Sequence, residues 1–321
     1  MQGLFMNSKH TLTVHIIGYG NQARAWAQNL RDNGHNVHIV LRKHSAREVE
    51  VRQQQFNLIE LEDFSPIDGD ILAILTPDNC HKEILDGISK RCFTQRLTCI
   101  YAHGYSYVAF ELKNNFPHWQ HLLLAPKAIA TELRARFIKK EGLSAVISDE
   151  GALDRQLSHD LLLHLCHALG INVGPFDVTF KQEADADMFS EQAILCGALP
   201  FLGIFVYQRM IEHGISPELA YLESWYEIQL IASTMTKLGP QKFFEMISPN
   251  ALHGAIKASD RLFDKAFQER LDGLAQEIWS GKFYQEAKSL RWHEDLEKVR
   301  NTINKSDLED IHKQLGPKLF G

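Results

Sequence analysis

The sequence predicts an α/β Rossmann-type N-terminal domain with a parallel sheet over residues 1–178, followed by an all-α domain over residues 179–321. Three observations carry this reading. From Thr11 to about Phe176, short apolar runs alternate with amphipathic stretches, the pattern of a parallel sheet covered on both faces. A glycine-rich turn joins the first run to the first amphipathic stretch. After about Asp177 helical periodicity takes over, with almost no β-rich run.

In chain order, MQGLFMNSKH is a short, partly disordered lead-in and Thr11 to Ile17 a strand. Asn21 to Asn33 is a helix stopped by Gly34, and Val37 to Leu41 is the second strand. Ile71 to Leu75 is extended after the turn-rich SPIDGD, Asn79 to Ser89 is helical, and Leu97 to Ala102 and Leu122 to Ala125 are extended. Ser144 to Ile147 is a further strand, and Leu153 to Leu169 a helix ending at Gly170. In the second half, Asp185 to His213 and Pro217 to Leu238 are long helices of a bundle. Breaks follow near Gly239-Pro240, Pro249-Asn250 and Gly281. The charged tail from Glu294 has a thin stripe of Leu308, Ile311 and Leu315, and is expected to pack on the surface.

Apolar content of 45%, charged content of 23% and a net charge of −6 describe an ordinary globular chain without the basic stripe of a nucleic-acid binder. Five cysteines without C-x-x-C spacing point to reduced thiols in the cytoplasm. No uninterrupted apolar run reaches the ~18 residues a membrane span needs, so no membrane partner is expected.

Gly18-Tyr19-Gly20-Asn21-Gln22-Ala23 follows the first strand and opens the first helix, which is the G-x-G-x-x-A form of the dinucleotide fingerprint. Gly18 permits the tight turn, Gly20 lets backbone approach a pyrophosphate, and Ala23 permits close packing. The second strand ends in Leu41-Arg42-Lys43-His44-Ser45-Ala46-Arg47. An NAD fold usually places a carboxylate there, whereas Arg42, Ser45 and Arg47 suit a 2′-phosphate, so the expected cofactor is NADPH.

Asp187 and Glu191, then Glu223 and Glu227, form two i, i+4 carboxylate pairs in apolar-rich helical stretches. A solvated acidic face is the alternative. Phe189, Ile194, Leu195, Cys196 and Leu199 around the first pair, and Leu222, Trp225, Ile228 and Leu230 around the second, argue for neutralisation by a metal. The nearest preceding cation is Lys181, and no Lys or Arg lies between Tyr221 and Met235. Oxygen-only donors suit a hard cation.

From Thr11 to Gly281 the chain resembles the ketol-acid reductoisomerases (acetohydroxyacid isomeroreductases), in their shorter class. The likeness is carried by GYGNQARA, LRKHSA, AHGY at Ala102 to Tyr105 and APK at Ala125 to Lys127. It continues through FKQEADADMFSEQAILCG from Phe180, PELAYLESWYEIQLI from Pro217, and Ile247-Ser248 before His253-Gly254. The resemblance implies a magnesium-dependent alkyl shift in a 2-hydroxy-3-oxo acid, then reduction by NADPH to a 2,3-dihydroxy acid for branched-chain amino acids. It implies two Mg2+ ions held by Asp187, Glu191, Glu223 and Glu227, with Glu227 also moving a proton. His103 and Lys127 become active-site residues, Ser248 a substrate contact, and Asp78, Asn79, Cys80 and His81 the border of the cofactor. It further implies a knotted helical domain and a homodimer or larger oligomer, in which Glu223, Glu227 and Ser248 reach the site from the neighbouring subunit.

Three departures mark a divergent member. Ala128-Ile129-Ala130-Thr131 replaces a Gly-Pro-Gly-His run, Pro249-Asn250-Ala251-Leu252 replaces Asn-Thr-Ala-Glu, and Pro200 is placed to kink the first metal helix. The alternatives are a 2-oxo acid reductase without isomerase activity and a non-catalytic NADPH-binding scaffold.

Overall fold

The computed structural model describes residues 11–92, 94–287 and 291–320, so the lead-in MQGLFMNSKH lies outside the described residues. The chain divides into two compact units, Met1–Ala186 and Asp187–Gly321.

The first unit is an eight-stranded sheet in the order β3-β2-β1-β4-β5-β6-β7-β8. Its strands are β1 (Thr13–Ile17), β2 (Asn36–Leu41), β3 (Asn57–Glu60), β4 (Ile71–Ile74), β5 (Thr98–Tyr101), β6 (Gln120–Pro126), β7 (Ser144–Gly151) and β8 (Val173–Asp177). Its helices are α1 (Asn21–Asp32), α2 (Glu48–Gln53), α3 (His81–Ser89), α4 (Tyr105–Ala109), α5 (Leu112–Asn115), α6 (Ala130–Lys139) and α7 (Arg155–Leu169). Period-2 alternation divides the strand residues between two cores. Val14, Ile16, Ala73, Ile100, Leu122 and Leu124 face one layer, while Ile17, Leu72, Ile74, Tyr101 and Leu123 face the other.

The parallel expectation holds from β3 through β6 and fails at β7. Strand β7 runs antiparallel to β6, with Pro126 opposite Ala145, and β8 is parallel to β7. After β6 the chain makes a return excursion through α6 instead of a crossover, so it re-enters the sheet at the end it left. Strand order reverses between β1 and β4, and the crevice beyond their carboxyl ends is where such sheets take nucleotides.

The described part of the second unit is helical. Helix α8 (Phe180–Ser190) starts in the first unit and continues past the Ala186/Asp187 division. Then come α9 (Ala198–Glu212), α10 (Pro217–Tyr221), α11 (Glu227–Leu238), α12 (Pro240–Met246), α13 (Pro249–Leu262), α14 (Lys265–Trp279), α15 (Lys282–Glu286), α16 (Trp292–Ile303) and α17 (Leu308–Phe320). The two long helices of the sequence reading are each interrupted by a π-helical segment, Glu191–Leu195 and Leu222–Tyr226. The tail also differs from expectation. Leu308 and Ile311 are buried with Ile204, Tyr207, Ala220 and Tyr221, so α17 completes a core. The Tyr207 hydroxyl donates to Asp307 at 2.6 Å, and the Tyr221 hydroxyl meets His312 Nδ1 at 2.8 Å. A stripe of three apolar residues was too thin a signal for a core element.

Among the described residues, one helical stretch (Phe180–Glu212) is long and apolar enough by length and composition to cross a membrane, although it contains no unbroken apolar run of that length. It carries Asp185, Asp187 and Glu191, and its regular turns break at Cys196-Gly197.

Candidate active site and cofactor cradle

Four strand exits build the cradle. Gly18 follows β1 at φ +101°, and its N–H donates to Val40 O at 3.0 Å. A Cβ there would stand 2.9 Å from both Leu75 O and Thr76 Cγ2, so only glycine fits the turn. Gly20 caps α1 without a side-chain bond and has open space where a Cβ would project, leaving the helix N–H groups toward solvent. Beyond it lies a cavity of about 490 Å³, walled by Gly18, Tyr19 and Gly20, by Arg42, Ser45 and Arg47 after β2, and by Thr76 and Cys80 after β4. The buried hydroxyls of Tyr19 and Thr76 have no hydrogen-bond partner, which a polar ligand would supply. Cavity, glycine turn and orphaned hydroxyls together fit a dinucleotide.

The basic loop after β2 is less free than its charge suggests. Arg47 lies 3.4 Å from Glu50, which Arg24 also binds at 2.8 Å. His44 adopts φ +60°, a left-handed conformation at a non-glycine position. Asn21 is exposed and Gln22 half-buried on the first turn of α1.

Past β4, Asp78, Asn79 and Cys80 form a 3-10 turn leading into α3. His81 sits behind the cradle, not in it. It is 3% exposed, with Nδ1 at 2.7 Å from Ser106 Oγ and Nε2 at 2.8 Å from Thr76 O. A carbonyl only accepts, so Nε2 carries the proton and donates to Thr76, and Ser106 donates to Nδ1. Burial lowers the His81 pKa despite the opposing pull of Asp78.

The loops after β5 and β6 converge on an acid that spacing did not single out, Glu183 of α8. Its side chain is 1% exposed; Oε1 accepts from Lys127 Nζ at 2.6 Å, and Oε2 accepts from the Gly104 N–H at 2.6 Å. His103 Nε2 lies 3.7 Å from the same Oε2, and His103 Nδ1 lies 3.9 Å from Asp78. A Cβ on Gly104 would come 2.3 Å from Phe180 O, so the AHGY glycine is what lets α8 start against this loop. Lys127 thus neutralises Glu183, while Lys181 pairs with Asp185 at 2.6 Å. Glu183 lies four residues before Asp187, one turn earlier on the same helix face. That spacing was the available signal; its cation, 56 residues upstream, was not visible in sequence.

The metal candidates belong to the second unit. Glu191 opens the first π segment, and its carbonyl accepts from Cys196 N at 2.8 Å and Gly197 N at 3.0 Å. A Cβ on Gly197 would lie 1.9 Å from Gln192 O, so this closure demands glycine. Helix α9 restarts at Ala198, which puts Pro200 in its first turn, where no helical N–H is needed; the break precedes the proline and is not caused by it. Glu223 lies within the second π segment and Glu227 follows it directly, and the wider turn leaves these i, i+4 residues on nearly the same face. Burial first, then the charges of Glu191 and Asp187, push the Cys196 thiol up.

The apolar neighbours cited from sequence do not bury these acids within one chain. Ile194 is 59% exposed, Leu195 57% and Leu230 47%. Among the described residues, no group of three potential ligands joins Asp187 or Glu191 to Glu223 or Glu227. Ser248 is the N-cap of α13 and its Oγ accepts from Ala251 N at 3.2 Å, with Pro249 at the first helical position. Capping uses a lone pair and leaves the hydroxyl proton as a donor. Ile129, in the departing Ala128–Thr131 run, holds the N-cap position of α6 and is 75% exposed.

Comparison with known proteins agrees across both units. The acetohydroxy acid isomeroreductase NADPH-binding domain matches residues 9–174, and the ketol-acid reductoisomerase C-terminal domain matches residues 180–319. The NADP(+) ketol-acid reductoisomerase of Xylella fastidiosa (strain Temecula1) is 30% identical over 322 residues, covering 98% of this chain and 91% of the relative. That of Helicobacter pylori (strain 26695) is 30% identical over 305 residues, covering 94% and 91%. An NADH-preferring ketol-acid reductoisomerase from an uncultured archean has the same fold, with a TM-score of 0.84 at 23% identity over 96% of this chain and 95% of that one. Matched domain by domain and over nearly its whole length, this chain belongs to the ketol-acid reductoisomerase family.

Proposed function

We propose that this chain is an NADPH- and magnesium-dependent ketol-acid reductoisomerase of the cytoplasm. It would rearrange an acetohydroxy acid by alkyl migration and reduce the product to a 2,3-dihydroxy acid. Residues 1–178 would bind NADPH, and residues 179–321 would bind metal, substrate and a second subunit. The observation that carries the reading is helix α8: Glu183 is clamped by the loops after β5 and β6, and Asp187 follows one turn later.

NADPH, when bound, supplies the hydride for the reductive step. Two magnesium ions, when bound, supply Lewis-acid polarisation of hydroxyl and carbonyl. Asp187, Glu191, Glu223 and Glu227 form an oxygen-only donor set that fits so hard an ion. Gly18 and Gly20 take the pyrophosphate at the start of α1, and Arg42, Ser45 and Arg47 take the 2′-phosphate. Lys127 fixes the position of Glu183, which holds the Gly104 N–H and the neighbouring imidazole of His103 in place. Glu227 is the proton-moving carboxylate, and the Ser248 hydroxyl donates to the substrate carboxylate.

The site is completed across a homodimer, with Glu223, Glu227 and Ser248 given by the neighbouring subunit. The absence, among the described residues, of a group of three potential ligands drawn from both acid pairs supports this, as do the exposed side chains of Ile194, Leu195, Leu199, Leu202 and Phe205. A second copy would cover that apolar surface, and it accounts for the membrane-like composition of Phe180–Glu212.

The test is NADPH oxidation with 2-acetolactate and with 3-hydroxy-3-methyl-2-oxobutanoate, each with and without magnesium. Turnover of both, with the first strictly dependent on magnesium, is expected. Turnover of the second alone would leave a reductase without isomerase activity. No turnover despite tight NADPH binding would leave a scaffold.

A further inference from the structure

In dinucleotide folds the adenosine ribose lies at the exit of the second strand, where a carboxylate accepts its two hydroxyls. Strand β2 here exits into Arg42 and Lys43 and supplies no acid. The neighbouring strand does. Parallel pairing sets Glu60 opposite Leu41, and the chain runs on to Glu62. Glu62 Oε2 accepts the backbone N–H of Lys43 at 3.1 Å, so this carboxylate is carried across to the backbone two residues beyond β2. The reach is fixed from both sides. Leu61 N donates to Leu41 O at 2.7 Å, and Arg91 grips the β3 exit, with Nη2 at 2.8 Å from Leu61 O and Nε at 3.0 Å from Phe64 O. Glu62 lines the same cavity as Arg42, Ser45 and Arg47.

We propose that Glu62 is a specificity-determining residue that accepts the ribose hydroxyls of a cofactor lacking the 2′-phosphate, so that this chain takes NADH as well as NADPH in one cavity. The proposal rests on the dinucleotide reading of that cavity. Two features weaken the preference for NADPH that the basic loop suggests. Arg47 is already answered by Glu50, and the Glu62 carboxylate lies on the wall that would receive a phosphate dianion. For a ribose diol the same carboxylate is an acceptor for two O–H donors, and charge-assisted bonds of this kind are the strong ones.

The experiment measures dissociation constants of NADH and NADPH by nicotinamide fluorescence, with full-length protein and no substrate, for wild type, Glu62→Gln and Glu62→Ala. Wild type is expected to bind both cofactors with affinities within about tenfold of each other. Glu62→Gln keeps an acceptor for the Lys43 N–H and removes only the charge. It should weaken NADH about tenfold, the loss of a hydrogen bond to a charged group, and tighten NADPH about threefold. An unchanged NADH/NADPH ratio in Glu62→Gln overturns the proposal. Equal weakening of both cofactors in the two variants also overturns it, since it would make Glu62 a support for the loop alone. Wild type that binds NADPH but not NADH sinks dual use and leaves the cofactor reading standing. Binding of neither sinks both.

Discussion

Removing the charge of Lys127 should strand a carboxylate inside the protein. Glu183 is 1% exposed in its side chain and meets Lys127 at 2.6 Å, while Lys127 itself is 39% exposed. Breaking a buried pair from one side costs about 3–5 kcal/mol, because the remaining charge stays desolvated. Two facts move Lys127→Met to the lower end. The Gly104 N–H still donates to Glu183 at 2.6 Å, and solvent reaches the ammonium in the folded protein. The expected loss is about 3 kcal/mol for Lys127→Met and about 2 kcal/mol for Glu183→Gln, whose amide can still accept from Gly104. The double variant should fall short of their sum by a coupling of about 2 kcal/mol. Native-state hydrogen exchange of the β5 and β6 amides reads this locally, without assuming that two units unfold together. A coupling below about 0.5 kcal/mol would refute the buried-pair account, since that is the value of an exposed pair.

The remaining predictions concern metal, backbone and pH. Asp187→Asn should abolish magnesium-dependent turnover while leaving the NADPH dissociation constant within about twofold, a change under ~0.5 kcal/mol; persisting activity would remove Asp187 from the metal set. Gly197→Ala forces a methyl to 1.9 Å from Gln192 O and should destabilise by about 3 kcal/mol, seen as early loss of helix in far-UV thermal melts. His44→Gly should stabilise by about 0.5–1 kcal/mol, because relief of a left-handed side chain (about 1–2 kcal/mol) outweighs glycine's added chain entropy. Burial holds His121 at about 4, with Nδ1 accepting from Tyr101 and Nε2 donating to Phe116 O. The unfolded chain therefore binds a proton that the folded one refuses. Stability should be full above about pH 6.5 and fall by about 3 kcal/mol as pH drops toward 4, a loss that His121→Gln flattens in urea titrations.

Elements with a local signature were legible. Strands β1, β2, β4, β5 and β6, helix α1 and the Gly18 turn follow from short apolar runs, a glycine stop and the fingerprint, all read within a dozen residues. Strand β3 was missed because Asn57–Glu60 is short, only half-buried and polar at both ends. Strand β8, with Gly174 and Pro175 inside it and most of it exposed, was missed for similar reasons. The reversed direction of β7 cannot be read from alternation, which is the same for parallel and antiparallel strands. In the site, the acids and the lysine were visible as residues, but not that Lys127 belongs to Glu183, because that pairing is made by the return of the chain across the sheet.

The π segments have a common physical consequence that residue spacing hides. A run of Asp-x-x-x-Glu or Glu-x-x-x-Glu on a regular helix leaves each backbone carbonyl bonded four residues on, with the acids about 40° apart around the axis. Widening the helix at Glu191–Leu195 and Leu222–Tyr226 shifts bonding to i+5 and turns the acids relative to the apolar residues that follow them. Each widening needs support where the ladder loosens. At the first, Gly197 lets the chain close against Gln192 O. At the second, the buried Ser224 hydroxyl donates to Ala220 O at 2.6 Å, and Gly203 of α9 lets that helix approach Ser224 O and Trp225 closely. These supports are small residues that bind nothing themselves. Their place beside both acid pairs is what the proposed coordination would use, since a solvated acidic face requires neither a π turn nor a glycine to make room for it.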